Sequence, residues 1–135
     1  MQLAETVASW SKDPSTQIGA VAIGDKGQVL CTGYNGFPRN IVDSPTRYAF
    51  RDTKYKLVVH AEMNAIYNAT YNGVGLDGST IYVHGLPVCS ECAKGIIQVG
   101  IKKVIMNGEV PDRWKESWEL TEQLFQESGV EYEFI

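Results

Sequence analysis

Two short motifs contain the side chains whose chemistry this sequence predicts most directly. His60-Ala61-Glu62 is followed by Cys89-Ser90-Glu91-Cys92. His60, Cys89 and Cys92 offer one imidazole and two thiolates, which are ligand types that bind Zn²⁺ in proteins. Three protein ligands leave the fourth tetrahedral position open for water, which is typical of a catalytic rather than a structural zinc site. Such a site lowers the pKa of the bound water to about 7 and provides a nucleophile near neutral pH.

Glu62 lies two residues after His60 and is not required as a ligand. A carboxylate at this position can move protons between the activated water and a substrate. The backbone of Ala61 and Cys89 can exchange hydrogen bonds with the edge of a base. This combination of His-x-Glu and Cys-x-x-Cys resembles the signature of zinc-dependent nucleobase deaminases.

Each motif taken alone also has other interpretations. A Cys-x-x-Cys pair is found in thioredoxin-like redox sites and in halves of structural zinc sites. A structural site needs a fourth ligand, and the sequence offers Cys31 and His84 for that role. Both lie in predicted strands, where such residues usually pack in the core. We therefore predict a catalytic site with three protein ligands.

Size and composition are those of a single globular domain. The chain has 135 residues with 44% hydrophobic content, so we predict one domain over residues 1–135. No apolar run approaches the roughly 20 residues that span a bilayer, and the first residues do not resemble a signal peptide. Three cysteines without a secretion signal favour metal binding over disulfides. We predict a cytoplasmic protein that does not associate with membranes.

Positive charge is concentrated in one segment of an otherwise acidic chain. The net charge is −4, and residues 36–59 carry five basic against two acidic side chains, which leaves −7 for the rest. Because long nucleic acids need a basic surface, this distribution favours a small anionic ligand over a polynucleotide. We predict phosphate or effector contacts from Arg39, Arg47 and Arg51, or from Lys94 on the helix that follows the second zinc motif.

Hydrophobic periodicity predicts an α/β protein in which helices cover both faces of a sheet. The predicted helices are residues 1–12, 58–71, 91–99 and 113–128, and the predicted strands are 18–23, 28–34, 79–84, 102–106 and 130–134. Residues 35–57 have no regular pattern, and we interpret them as a functional loop. His60 and Cys89 then lie at the starts of two successive helices.

Four segments resemble those of deoxycytidylate (dCMP) deaminases, within the cytidine/deoxycytidylate deaminase family. They are DPSTQIGA at 13–20, GYNGFP at 33–38, HAEMNAI at 60–66 and CAKGIIQ at 92–98. The resemblance extends over about residues 1–106. The family's positions for zinc ligands, proton transfer and nucleotide contact correspond here to His60, Cys89, Cys92, Glu62 and Asn35.

The resemblance implies a fold, a reaction and a mode of regulation. The expected fold is a three-layer α/β/α sandwich with a central mixed five-stranded sheet. The expected reaction converts dCMP to dUMP and ammonia. The expected assembly is a homohexamer that dCTP activates and dTTP inhibits, with Mg²⁺ accompanying the triphosphate.

The chain departs from the family pattern at three positions. Val88 is inserted before Cys89, and His84 stands where a threonine is usual. Both changes leave the zinc ligands intact. Some viral members have an arginine that meets the substrate phosphate, and the matching residue here is Tyr71. The phosphate partner is therefore left open by the sequence.

Three other functions compete with this interpretation. A polynucleotide deaminase, such as a tRNA adenosine deaminase, shares the zinc site but needs a basic face. A non-enzymatic zinc-stabilised module leaves Glu62 without a role. A deaminase of free cytidine does not account for the basic segment or the GYNGFP motif.

We predict that Trp114 and Trp118 are core or subunit contacts rather than base-stacking groups.

Overall fold

Five strands form one mixed sheet at the centre of the fold. In the computed structural model, which describes residues 1–135, the strand order is β2-β1-β3-β4-β5 for strands numbered along the chain. β1 pairs antiparallel with its neighbours on both sides, and the last three strands run parallel. The strands are β1 (Gly19–Ile23), β2 (Val29–Tyr34), β3 (Thr80–His84), β4 (Lys103–Met106) and β5 (Glu131–Phe134).

Helices supply the connections that parallel strands require. They are α1 (Gln2–Ala8), α2 (Pro45–Ala49), α3 (Arg51–Leu57), α4 (Ala61–Tyr71), α5 (Ser90–Gln98) and α6 (Lys115–Ser128), with a 3₁₀ turn at Asp112–Trp114 before α6. α5 connects β3 to β4, and α6 connects β4 to β5. None of these helices combines the length and the apolar character needed to cross a membrane.

The side chains of β1 divide the core into two layers. Ala20 and Ala22 belong to the main core, which also contains the buried faces of α4, α5 and α6. Val21, between them, packs against Ala4 and Val7 of α1 on the other face of the sheet. Helices therefore flank the sheet on both sides, and the predicted α/β/α arrangement with a mixed five-stranded sheet is confirmed.

A glycine lets α4 lie directly on β2. A Cβ atom at Gly33 would overlap the backbone of Ala61 and Ala65. Because no side chain intervenes, the first turn of α4 contacts the end of β2. This close approach fixes the position of the residues at the start of α4, where the His-x-Glu motif lies.

The prediction of an irregular loop over residues 35–57 is wrong in one respect, because the segment contains α2 and α3. Ser44 caps α2 by accepting a hydrogen bond from the backbone of Arg47, and Pro45 occupies the first turn. Tyr48 is buried and stacks on Phe37 with ring centroids 4.4 Å apart. The helices are too short to show a hydrophobic period, so periodicity alone could not reveal them.

Candidate active site

The predicted metal ligands lie at the starts of two helices that pack against each other. His60 is the N-cap of α4 and Cys89 is the N-cap of α5. Cys92 lies in the first turn of α5, and its backbone N–H donates to Cys89 Sγ at 3.5 Å. Both helix N-termini direct partial positive charge toward the sulfur atoms, which stabilises thiolates.

The three side chains form a compact donor set. Cys89 Sγ lies 3.3 Å and Cys92 Sγ 3.5 Å from His60 Nδ1. All three donor atoms lie within 4.8 Å of one another. Usual Zn–N and Zn–S bond lengths at tetrahedral angles place nitrogen and sulfur about 3.6 Å apart. The set therefore fits one tetrahedral zinc ion as it stands.

The hydrogen bonds of the donor set favour one thiolate in particular. The hydrogen bond from the Cys92 thiol, and then that from His60, lower the pKa of Cys89 to about 4 against the opposing effect of burial. The hydrogen bond to Cys89 in turn raises the pKa of His60 above its usual value. Cys89 is thus ionised at neutral pH, as metal binding requires.

Neither residue considered as a fourth ligand belongs to the donor set. Cys31 is buried in β2, and burial raises the pKa of its thiol to about 11. His84 Nδ1 accepts a hydrogen bond from Asn107 Nδ2 at 2.9 Å. The cluster contains three protein ligands. A donor set of this size corresponds to a catalytic rather than a structural zinc site.

Glu62 is a buried carboxyl group in the first turn of α4, with 4% of the residue exposed. Burial raises its pKa to about 7, and the negative charge of Cys89 adds to that effect. A carboxyl group with this pKa is present in both protonation states near neutral pH. It can therefore accept a proton and return it during one reaction cycle.

One cleft reaches into the protein as far as His60, Ala61 and Glu62, which line it. Its other walls come from the segment before β1, the residue after β2, α3 and the residue after it, the loop after β3, and the 3₁₀ turn before α6. They are lined by Asp13, Thr16, Ile18, Asn35, Lys54, Tyr55, Val58, Leu86, Pro87, Arg113 and Trp114. Apolar walls with a few convergent polar groups are typical of a small-molecule site.

The two residues predicted to contact nucleotide both line this cleft. Asn35 is buried and accepts a hydrogen bond from the backbone of Ile18 at 2.9 Å through Oδ1. Its Nδ2 donates to the carbonyl of Thr16 at 2.9 Å. Ala61 is the first residue of α4, so its backbone N–H has no partner within the helix.

The four predicted phosphate or effector residues lie outside the cleft. Arg39 donates to Asn68 Oδ1, and its guanidinium group lies over the ring of Tyr71 at the C-terminal end of α4. Arg47 donates to a backbone carbonyl in its own loop at 3.0 Å, and Lys94 pairs with the neighbouring carboxylate of Glu91 at 2.8 Å. Arg51 begins α3 and is exposed.

Sequence reasoning did not single out four residues that also line the cleft, the cationic Lys54 and Arg113 and the aromatic Tyr55 and Trp114. Lys54 forms a buried ion pair with Asp13, whose carboxylate lies 2.7 Å from Nζ. Trp114 lines the cleft beside Arg113, whereas we predicted only core or subunit contacts for it. Trp118 is buried in the main core, as predicted. The ion pair joins residues 41 positions apart, and no local pattern reports such a contact.

Catalytic zinc sites with these ligand types occur in several classes of enzyme, and similarity to known proteins shows which family this chain belongs to. The family model described as the cytidine and deoxycytidylate deaminase zinc-binding region matches residues 1–107. The chain belongs to the cytidine and deoxycytidylate deaminase family. It is a zinc-dependent deaminase, and His60, Cys89 and Cys92 form its zinc site.

Relatives of this deaminase are similar over nearly its whole length. The deoxycytidylate deaminase of Mus musculus is 41% identical and aligns with 98% of this chain and 75% of its own. An uncharacterized deaminase in the luxG 3′ region of Aliivibrio fischeri is also 41% identical and aligns with 99% and 89%. The crystal structure of dCMP deaminase from the cyanophage S-TIM5 in complex with dCMP and dUMP matches with a TM-score of 0.76 and 27% identity, covering 99% and 92% of the two chains.

Proposed function

We propose that this deaminase converts dCMP to dUMP and ammonia. The observation that carries the proposal is the floor of the cleft, where buried Glu62 adjoins the zinc site. Similarity supports the choice of nucleotide, since the mouse deoxycytidylate deaminase is 41% identical over 139 residues. The cyanophage relative, which has dCMP and dUMP in its crystal structure, also supports a deoxycytidine nucleotide as substrate.

Glu62 is the proposed proton carrier of the reaction. When bound, zinc supplies an acidified water as the nucleophile. The Glu62 carboxylate takes up a proton and gives one to the ring nitrogen next to the amino-bearing carbon, which makes that carbon electrophilic. The water oxygen adds to that carbon, and Glu62 takes the remaining proton of the added hydroxyl group and passes it to the amino group, so that the carbon–nitrogen bond breaks, ammonia leaves and a carbonyl group remains. Its pKa of about 7 suits both directions of transfer.

Asn35 and Ala61 are the proposed contacts to the nucleoside part of the substrate. The unpaired N–H of Ala61 at the start of α4 can donate to the base. Asn35 Oδ1 accepts one hydrogen bond from Ile18 and has a second lone pair, which can accept from a sugar hydroxyl. Asn35 is held by its hydrogen bonds to Ile18 and Thr16, and Ala61 is held by α4, so neither group needs rearrangement before binding.

A second cleft is the proposed site for dCTP, the activator, and dTTP, the inhibitor. It is lined by residues 34 and 36–39 and by residues of α4. Arg39 is its cationic residue, which makes Arg39 a stronger effector candidate than Arg47 or Arg51. Mg²⁺ would neutralise part of the remaining triphosphate charge. Because α4 also carries Glu62, a ligand in this cleft can alter the active site.

The proposed assembly is the homohexamer implied by the family resemblance. A small, highly charged effector bound on each chain would then act on several active sites through subunit contacts. The acidic charge outside residues 36–59 supports a mononucleotide rather than a polynucleotide as substrate.

Ammonia release from a panel of substrates tests the proposed reaction. Zinc-loaded protein should deaminate dCMP with a higher kcat/KM than deoxycytidine, dCTP or a tRNA anticodon stem-loop. Equal kcat/KM for dCMP and deoxycytidine would contradict a nucleotide-specific site. Preferred turnover of the stem-loop would instead identify a polynucleotide deaminase.

A further inference from the structure

Two cationic side chains line the active-site cleft, Lys54 and Arg113. Lys54 is already neutralised within the protein. Its Nζ lies 2.7 Å from an Asp13 carboxylate oxygen and 2.9 Å from Ser15 Oγ, and its side chain is only 10% exposed. A buried ion pair of this kind is costly to separate, so Lys54 has no free charge to offer an anionic ligand.

Arg113, unlike Lys54, has a side chain that is not paired within the protein. It lies in the 3₁₀ turn Asp112–Trp114 and is exposed at the edge of the cleft, and its side chain forms no hydrogen bond or ion pair in the structure. Its guanidinium group therefore keeps its full charge and all of its donors for a ligand.

The backbone that carries Arg113 is nevertheless fixed in place. Trp114 Nε1 donates to the carbonyl of Pro87 at 3.0 Å, and the backbone N–H of Trp114 donates to Pro111 at 2.8 Å. The Trp114 ring centroid lies 6.4 Å from that of His60. The 3₁₀ turn is thus attached both to the segment before Cys89 and to the side of the zinc site.

No other residue suggested for the substrate phosphate reaches this cleft. Tyr71, which matches the arginine position of some viral relatives, is 76% exposed at the end of α4 and does not line the cleft. Arg39 lies over the Tyr71 ring, 4.9 Å from its centroid, and lines the second cleft instead.

From these observations we propose that Arg113 binds the 5′-phosphate of the substrate and so determines the preference for nucleotide over nucleoside. The inference rests on the proposed deamination of a deoxycytidine nucleotide. A planar guanidinium group can donate two parallel hydrogen bonds to phosphate oxygens. Arg113 lies beyond residues 1–107, which the family model matches, so this contact comes from outside the zinc-binding region.

Substrate discrimination in two Arg113 variants tests the proposal. Arg113→Ala should lower kcat/KM for dCMP by about 10- to 100-fold, because a charged hydrogen-bonding group is lost. Turnover of deoxycytidine should change by less than about twofold, since it has no phosphate to lose. Arg113→Lys should retain part of the dCMP activity. Lys115→Ala is the matched control, because Lys115 is an exposed cation two residues away that does not line the cleft.

A binding measurement separates this inference from the proposed reaction. Calorimetric titration of zinc-loaded protein with dUMP and with deoxyuridine should give tighter binding of dUMP, and Arg113→Ala should remove most of that difference. An equal loss of affinity for dUMP and deoxyuridine in Arg113→Ala, or an unchanged preference for dUMP, would overturn the role of Arg113. Failure to deaminate dCMP, with the Arg113-dependent preference for dUMP intact, would refute the proposed reaction and leave the phosphate contact standing.

Discussion

Cys89 and Cys31 differ in chemistry because their neighbours differ. Cys89 caps α5 and receives hydrogen bonds from Cys92 and His60, which lower its pKa to about 4. Cys31 is buried in β2, where desolvation raises the pKa of its thiol to about 11. One cysteine is prepared to bind a cation, whereas the other behaves as a small apolar side chain.

Metal content should separate these roles. Cys92→Ser should release zinc on dialysis and abolish turnover, because two protein ligands hold the ion far less tightly than three. Cys31→Ser should retain one zinc per chain, since Cys31 is not in the donor set. Metal analysis of both variants after dialysis provides the measurement. Zinc retained by Cys92→Ser, or lost by Cys31→Ser, would show that the ligand set is wrongly assigned.

At the scale of secondary structure, the site depends on the contact between β2 and α4. Gly33 lies where a Cβ atom would overlap the backbone of Ala61 and Ala65. Ala61 separates His60 from Glu62. Displacing α4 would therefore move a zinc ligand and the proton carrier together.

Gly33→Ala should destabilise the protein by about 1–3 kcal/mol, as expected for overpacking of a close contact, and should lower kcat. Gly75→Ala is the matched control, because no atom lies within 4 Å of a Cβ built at Gly75. Thermal unfolding and dCMP turnover of both variants provide the test. Normal stability and turnover in Gly33→Ala would mean that α4 does not need this close approach.

Local sequence patterns predict some of these elements, whereas short helices and contacts between distant segments leave no such pattern. The sequence predicts the position of His60 and Cys89 at helix starts, because their motifs are local and adjoin periodic helices. The helices within residues 35–57 were missed because they span at most two turns. The Asp13–Lys54 ion pair joins segments distant in sequence, so only the folded structure reveals it.

At the scale of the whole molecule, α4 links the two clefts. Its N-terminus reaches the active site, and Asn64, Tyr67 and Asn68 face the second cleft. The segment after residue 107 completes the active-site wall with Arg113 and Trp114. The chain thus combines the family's zinc-binding region with a C-terminal segment that shapes the cleft.

Regulation by triphosphates should depend on Arg39. We expect sigmoidal dCMP saturation that becomes hyperbolic with dCTP and Mg²⁺ and is suppressed by dTTP. Arg39→Ala should weaken both effects and remove about 1–3 kcal/mol of the coupling free energy between effector binding and substrate binding. Arg47→Ala is the control, since Arg47 lines neither cleft. Saturation curves that do not respond to triphosphates in the unmodified protein would refute an effector site.

Glu62 is proposed to transfer protons in dCMP deamination without binding the metal. The most direct measurement is the rate of ammonia release from dCMP by Glu62→Gln, together with its zinc content. Glu91→Gln serves as the control, because Glu91 is an exposed carboxylate that adjoins Cys92 in sequence. We predict that Glu62→Gln keeps one zinc per chain and loses about 10²–10⁴-fold in kcat, while Glu91→Gln stays close to the unmodified protein. Near-normal turnover by Glu62→Gln would mean that Glu62 is not the proton carrier, and loss of its zinc would mean that Glu62 helps to hold the metal.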